Sequence, residues 1–190
     1  MSGGDDFVKP WQTLGEEAIY ENRLLRLTRE TVRLQNGRIV DDYFQIHMGQ
    51  AAVIAATRED GRLILLRMYK HGARRSGIGF PGGGIEPGEA PLAAAQRELI
   101  EETGFSGGRW SGLGDYKVHS NQGCGHLYFF LAQGVVPTNV PSADDLEPHE
   151  FVYLDRAAVR DAIANQGFLS LGHVCLAALW MNATSQAGPR

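Results

Sequence analysis

Residues 83–105 read GGIEPGEAPLAAAQRELIEETGF and contain the strongest helix signal in the chain. Between Ala90 and Thr103 most residues are good helix formers. Pro91 suits the first turn of a helix, and Gly104 suits the position just after its last turn. The sequence therefore predicts a helix over residues 90–103, preceded by a bend that is rich in glycine.

Three glutamates share one side of this predicted helix. Glu98, Glu101 and Glu102 fall within an arc of about 100° when successive residues are placed at helical spacing. Beside them runs an apolar stripe that we expect to pack on a sheet: Leu92, Ala95, Leu99 and Thr103. Like charges at this spacing repel one another, and a divalent cation would turn that repulsion into binding. The pattern indicates a site for a hard metal ion.

The bend before the helix fits the same chemistry. Gly82, Gly83 and Gly84 allow close approach of the backbone and angles that other residues avoid. Such a bend brings a main-chain carbonyl beside a metal ion or clears space for a diphosphate. Arg97 lies where it can pair with Glu101 or reach back to Glu89, so we assign it a positioning role.

The rest of the chain predicts an α/β/α sandwich with a mixed sheet. Two apolar runs, at 51–56 and 63–68, read as central strands separated by a turn at Asp60-Gly61. Residues 70–79 read as an exposed basic loop, and residues 137–149 as a long acidic loop. Further strands are predicted at 116–118, 126–132 and 151–154, and helices at 156–165 and 171–181.

Residues 1–48 are predicted to form a tail and a small antiparallel β lobe, separate from a main domain at residues 49–190. Residues 24–34 alternate apolar and polar side chains, Asn36-Gly37 is typical of a hairpin turn, and residues 38–47 continue as a strand. The lobe is small for an independent domain, so we expect it to lie on the main body or on a partner chain.

Composition narrows the class of protein. The formal net charge is -4, which argues against a general nucleic-acid binder. Cys124 and Cys175 are far apart and lack metal-ligand spacing, which favours a reduced intracellular protein. No apolar run is long enough to cross a bilayer, and the N-terminus does not resemble a secretory signal. The sequence predicts a cytoplasmic protein that binds neither nucleic acid nor membrane.

The helix and its bend resemble the Nudix box, G-x5-E-x7-R-E-U-x-E-E-x-G-U, in which U is aliphatic or aromatic. Every specified position is filled, by Gly83, Glu89, Arg97, Glu98, Leu99, Glu101, Glu102, Gly104 and Phe105. The resemblance implies that Glu98 and Glu102 bind metal ions, that Glu101 assists, and that a carbonyl at Gly82 or Gly83 completes the shell. The implied ion is Mg²⁺, with Mn²⁺ as an alternative, and the implied reaction is attack of water on phosphorus.

Outer motifs extend the resemblance to the ADP-ribose pyrophosphatase branch of that family. They are Trp11 with Ile19-Tyr20-Glu21-Asn22, Leu34-Gln35-Asn36-Gly37, Arg67-Met68-Tyr69-Lys70 and Phe80-Pro81-Gly82-Gly83. Members of this branch usually exchange an N-terminal β lobe to form homodimers, so the resemblance implies a homodimer. The branch typically has a proline in a turn after the box, where this chain has Ser120-Asn121-Gln122-Gly123. Other nucleoside-diphosphate sugars, such as GDP-mannose, therefore remain candidate substrates.

The general base and the substrate contacts stay open at this stage. The resemblance places the base in the acidic loop, where Glu147 and Glu150 are the candidates, with a glutamate of the box as the alternative. Arg67 and Tyr69 either contact phosphate or sugar or pack outward from the sheet. The basic residues Lys70, Arg74 and Arg75 either contact the diphosphate or form only a solvated loop. Trp11 is either a lid over the nucleobase or a core or dimer-contact residue.

Two classes of function compete. The first is a hydrolase that converts a nucleoside-diphosphate sugar to a nucleoside monophosphate and a sugar phosphate. The second is a non-catalytic sensor of nucleotide metabolites on the same fold. The complete acid set of the box favours the hydrolase.

Overall fold

The computed structural model describes residues 9–141 and 148–185. It divides into two compact units. The first contains the described residues up to Gly49 together with Lys117–His126, and the second contains the remaining described residues. The division into domains at residues 1–48 and 49–190 stays a prediction.

The first unit is a three-stranded antiparallel sheet in the order β1-β2-β3. Its strands are β1 (Gln12–Glu21), β2 (Leu25–Arg33) and β3 (Ile39–Met48). The predicted hairpin turn joins β2 to β3, and Gly37 there has a φ of 82°, which glycine adopts without strain. The Gln122 carbonyl accepts a hydrogen bond from the Ile46 N–H, so the segment around Gln122 extends this unit. The small antiparallel lobe predicted from the sequence is confirmed.

The second unit is built on an eight-stranded sheet, as counted among the described residues. The strands of this sheet are β4 (Gln50–Arg58), β5 (Leu63–Lys70), β6 (Arg75–Gly79), β7 (Gly82–Gly84), β8 (Phe105–Ser106), β9 (Arg109–His119), β10 (Cys124–Pro137) and β11 (Glu150–Leu154). The end of β9 and the start of β10 fall within Lys117–His126 of the first unit. The main path runs β11-β5-β4-β10-β8, and β6, β7 and β9 pair with β5, β4 and β10 respectively. The helices are α1 (Pro91–Thr103), α2 (Arg156–Ala164) and α3 (Leu171–Ser185).

Alternate residues of the central strands face two different helical layers. On one face, Val53 and Ala55 of β4 pack with residues of α2 and α3, including Val159 and Trp180. On the other face, Ile54 of β4 belongs to a cluster that contains buried residues of α1. The period of two residues in a strand explains this division, because successive side chains point to opposite faces. The predicted α/β/α sandwich is confirmed.

Two predictions about local structure were wrong. The basic stretch was expected to be exposed loop as far as Gly79, but a short 3₁₀ helix (His71–Ala73) is followed by the strand β6. Ile78 and Gly79 are buried there, because β6 pairs with β5 along its length. Leu92 was placed in the packing stripe of the helix, yet it is 41% exposed. It lies in the first turn of α1, where the buried contacts have not yet begun.

No helix in the described ranges has both the length and the apolar character required to span a bilayer.

Candidate functional site

Arg97 is the centre of a hydrogen-bonded cluster on α1. Its Nε and Nη2 atoms each donate to one carboxylate oxygen of Glu89, both at 3.0 Å. Nη1 donates to Glu98 at 2.8 Å and to Glu101 at 3.0 Å, and Nη2 also donates to the Gly84 carbonyl at 2.9 Å. The planar guanidinium has five N–H donors in fixed directions. It therefore ties the glycine bend, the approach to the helix and the helix itself into one arrangement.

The opposite charges of Arg97 and Glu89 shift each other's pKa so that the charged forms are favoured. The hydrogen bonds that Arg97 donates to Glu89 raise the pKa of Arg97 most strongly, and those to Glu98 and Glu101 add to this effect, whereas desolvation of the guanidinium opposes it. In turn the Arg97 guanidinium lowers the pKa of Glu89, and the Glu86 N–H, which donates to that carboxylate at 3.0 Å, lowers it further. Both partners are thus held in their charged forms at neutral pH.

The glycine bend lies directly against the acids of α1. The Gly82 N–H donates to Oε2 of Glu102 at 2.7 Å. A Cβ atom at Gly83 would overlap the carboxylate of Glu98, and one at Gly82 would lie 2.8 Å from the Cα of Val53. A side chain at residue 82 would collide with the backbone of β4, whereas one at residue 83 would displace the Glu98 carboxylate, because β7 pairs with β4 on one side and faces α1 on the other.

The last positions of the box end the helix. Gly104 has a φ of 70° in the left-handed region, and its N–H donates to the Ile100 carbonyl at 2.8 Å. The N–H groups of Thr138 and Asn139 donate to the Gly104 carbonyl at 2.9 and 3.0 Å. A side chain at residue 104 would collide with the Asn139 carbonyl. Leu99, between the acids, is fully buried and fastens α1 to the sheet.

Glu150, one candidate for the general base, is the first residue of β11 and stands opposite Arg67 of β5. Val152 and Leu65 are the next opposed pair on the same face, and both belong to the core cluster that contains α2 and α3. Glu150 and Arg67 therefore continue that face into solvent, whereas α1 covers the other face. The register alone does not bring Glu150 to the acids of α1. Glu147, the other candidate, lies outside the described residues.

The other predicted substrate residues have different surroundings. Tyr69 is exposed, and its hydroxyl lies 3.4 Å from Nδ1 of His71. Arg74 is exposed and has a φ of 54°. Arg75 donates at 3.0 Å to the Gln166 carbonyl and also donates to the Phe168 carbonyl, so its guanidinium joins β6 to the segment before α3. These bonds favour a structural role for Arg75 over contact with a diphosphate.

Trp11 belongs to the first unit. Its ring packs edge-on against Tyr43 at 5.6 Å between centroids, and the residue is half exposed. An exposed aromatic face can stack on a base, and it can equally be covered by another chain. Both interpretations of Trp11 therefore stay open.

The box carries the donors that a hard divalent cation requires. The Glu98 side chain is 14% exposed, and its carboxylate and that of Glu101 both accept hydrogen bonds from the Arg97 guanidinium. The Glu102 carboxylate accepts a hydrogen bond from the Gly82 N–H. Carboxylate and carbonyl oxygens suit Mg²⁺ and Mn²⁺, so the donor chemistry fits. Within the part of the chain that the structure describes, no three His, Cys, Asp or Glu side chains already converge on one point.

Two contacts of this region had no signal in the sequence. The Gly84 carbonyl as an acceptor for Arg97 depends on the path of β7, which periodicity does not reveal. His173 of α3 lies against Gly79 of β6, 94 residues earlier, a contact that exists only in the folded chain.

Comparison with known proteins identifies this arrangement. A model of the NUDIX domain matches residues 47–170, and a model of the nucleoside diphosphate sugar hydrolase N-terminal domain matches residues 11–46. The sandwich with its acidic helix and glycine bend is that of a Nudix hydrolase. The chain belongs to the Nudix family, as the box predicted.

Individual relatives agree with this assignment. The chain is 27% identical over 152 residues to the ADP-ribose pyrophosphatase of Bacillus subtilis (strain 168), and the match covers 80% of each protein. It is 28% identical over 152 residues to the methanol dehydrogenase activator of Bacillus methanolicus, again over 80% of each. A crystal structure of an ADP compounds hydrolase superposes with a TM-score of 0.84 at 25% identity, and covers 96% of this chain and 98% of that one.

Proposed function

We propose that the protein is a divalent-cation-dependent pyrophosphohydrolase that cleaves ADP-ribose or a related nucleoside-diphosphate sugar. The products are a nucleoside monophosphate and a sugar phosphate. The observation that carries the proposal is the complete box, with its acids held by Arg97 and by the glycine bend. The names of the relatives, an ADP-ribose pyrophosphatase and an ADP compounds hydrolase, support the substrate class.

In this proposal Glu98, Glu101 and Glu102 hold Mg²⁺ or Mn²⁺ with a carbonyl of Gly82 or Gly83. When bound, such an ion polarises phosphoryl oxygens and lowers the pKa of water. Arg97 holds Glu98 and Glu101 in place, because it donates to both carboxylates directly. Phosphoryl transfer depends mainly on positioning and on neutralisation of charge, which this cluster supplies.

The general base of the proposal comes from the segment before β11. Glu147 and Glu150 remain the two candidates, and a glutamate of the box is the alternative. Glu150 stands beside Arg67, so a phosphate bound by Arg67 would lie near the Glu150 carboxylate. Separate Glu147→Gln and Glu150→Gln variants, assayed over a range of pH, identify the base by the loss of the acidic limb of the rate profile. Full activity in both variants would move the base to the box.

The first experiment is a panel of nucleoside-diphosphate sugars incubated with Mg²⁺, with products separated by chromatography. We expect turnover of ADP-ribose to AMP and ribose 5-phosphate, with GDP-mannose as the next candidate. Reaction in ¹⁸O-labelled water shows which phosphorus is attacked. Absence of turnover across the panel, together with tight binding of one member, would favour the nucleotide sensor.

Glu102→Gln is the sharpest variant for metal dependence. The amide oxygen can still accept the hydrogen bond from Gly82, so the fold should persist while a charged ligand is lost. We expect turnover to fall by roughly 100-fold or more, because the metal supplies several kcal/mol of charge stabilisation. Glu59→Gln, at an exposed position after β4, is the matched control. Equal activity of the two variants would contradict the metal assignment.

We also propose that a second copy of the chain covers the apolar side chains of the first unit. Large side chains exposed in that unit include Trp11, Leu14, Ile19, Tyr20, Leu24, Ile39, Phe44 and Met48. A concentration of exposed apolar surface is typical of an interface. Light scattering should give the mass of a dimer, and Phe44→Asp should give a monomer. Val140→Asp, at an exposed position of the second unit, should leave the dimer intact.

A further inference from the structure

The imidazole of His173 lies against the end of β6. A Cβ atom at Gly79 would stand 2.6 Å from Cε1 and 3.0 Å from Nδ1 of this ring. The next residue, Phe80, packs edge-on against the same ring at 6.1 Å between centroids. The ring therefore occupies the space that a side chain at residue 79 would need.

The segment before α3 is hydrogen-bonded to β6 as well. The Ile78 N–H donates to the Gly167 carbonyl, and the Leu169 N–H donates to the Ile78 carbonyl, both at 3.0 Å. Phe168 stacks on Phe80 with centroids 5.7 Å apart and rings nearly parallel. β6 and the start of α3 consequently pack against each other, and the His173 ring contributes to this packing at Gly79 and Phe80.

β6 leads directly into the glycine bend. Gly82 follows Gly79 by three residues, which span at most about 10 Å. The Pro81 carbonyl between them accepts a hydrogen bond from the Ile54 N–H at 2.9 Å. This short connection therefore separates the packing at Gly79 from the Gly82 N–H, which donates to Glu102.

We propose that His173 is a positioning residue, whose ring wedged against Gly79 and Phe80 holds the glycine bend in register with Glu98 and Glu102. In this role the ring acts through the backbone from Gly79 to Gly83. The consequence for metal affinity rests on the proposed function, whereas the consequence for the bend does not.

The surroundings of the His173 ring favour a role in packing over a role as a charge or a hydrogen-bonding group. Nδ1 is buried and has no hydrogen-bond partner of normal geometry among the described residues. Burial and, to a smaller extent, the charge of Lys70 together lower the pKa of His173 to about 4, while the Ile78 backbone opposes this more weakly. The imidazole is therefore neutral at physiological pH.

A double-mutant cycle at Gly79 and His173 tests the proposal. Gly79 has no positive φ, and the three atoms nearest to a Cβ there all belong to the ring of His173. We expect His173→Ala and Gly79→Ala each to shift the Gly82 and Gly83 amide resonances in ¹H–¹⁵N spectra of the metal-free protein. The double variant should recover the wild-type positions in part, because the new methyl group fills the vacated space.

Titration with Mn²⁺ alone provides the second readout. His173→Ala should weaken Mn²⁺ binding by roughly 10-fold, the lower end of the range for residues that orient metal ligands. The matched control is Leu176→Ala, a fully buried residue of the same helix in the core cluster. It should lower stability without moving the glycine resonances.

Unchanged glycine resonances in both single variants would overturn the proposal, as would equal shifts in the Leu176→Ala control. Failure of the wild-type protein to bind Mn²⁺ would overturn the proposed function instead, and the glycine resonances would still decide the role of His173.

Discussion

Acidification should destabilise this protein through His173 in particular. The pKa of this residue falls from an ordinary 6.5 to about 4 on folding, because burial disfavours the charged ring. The unfolded chain therefore binds a proton at a higher pH than the folded chain. The contribution of neutral His173 to the free energy of unfolding is therefore fully present above pH 6.5 and is lost as the pH falls towards 4.

The size of the effect follows from the shift of the pKa. At 1.36 kcal/mol per pKa unit, complete protonation costs roughly 3 kcal/mol, of which about 2 kcal/mol has been lost by pH 5. Carboxylates also titrate in this range, so the difference between the wild type and His173→Ala isolates the histidine. His119→Ala, at an exposed position, is the control.

Urea denaturation followed by circular dichroism at pH 7, 6 and 5 measures this difference. The free energy of unfolding should fall more steeply with acidification in the wild type than in His173→Ala, so that the two values approach each other at pH 5. The His119→Ala variant should follow the wild type. Parallel curves for wild type and His173→Ala would refute the buried, neutral histidine.

Three further predictions concern α1 and the bend. Arg97→Lys should reduce turnover by roughly 10- to 100-fold in steady-state assays, because a lysine cannot reproduce the planar array of N–H donors of the guanidinium. Wild-type kinetics in this variant would show that these donors are dispensable. Gly83→Ala should reduce the affinity for Mn²⁺ in a direct titration, because the new methyl group displaces the Glu98 carboxylate. Gly84→Ala meets open space and should leave the affinity unchanged. Equal effects of the two variants would contradict the packing of Gly83 against Glu98. Leu99→Ala should lower the free energy of unfolding by about 3 kcal/mol in urea titrations, because Leu99 is fully buried. Leu92→Ala, at an exposed position, should lower it by less than about 1 kcal/mol. Similar losses in the two variants would contradict the packing of α1 on the sheet through Leu99.

Much of the fold was predictable because its signals are local. The helix from Pro91 to Thr103 depends on helix formers, a proline at its start and a glycine at its end, all of which neighbouring residues determine. The turn at Asn36-Gly37 and the apolar strand β4 likewise follow from adjacent residues. The strand β6 was missed because glycines and arginines are poor strand signals, and its pairing with β5 supplies the stability.

The candidate site divides in the same way. The spacing of the acids on one helix predicted them as metal ligands, and Arg97 was predicted to be a positioning residue because it lies near Glu101 on that helix. Pairing with Glu101 and reaching back to Glu89 were alternatives in the sequence, and the folded chain has both. The bond from Arg97 to the Gly84 carbonyl required the bend to be folded back on the helix.

The sequence by itself therefore determined the family, the acidic helix and the strand that packs against it, because each is encoded within a few turns of chain. Only the tertiary structure decided that Glu150 stands beside Arg67, that Arg75 binds carbonyls near Phe168, and that His173 fills the space at Gly79. Those contacts join residues more than 80 positions apart. Their geometry depends on sheet register and helix packing, and these are properties of the whole folded chain.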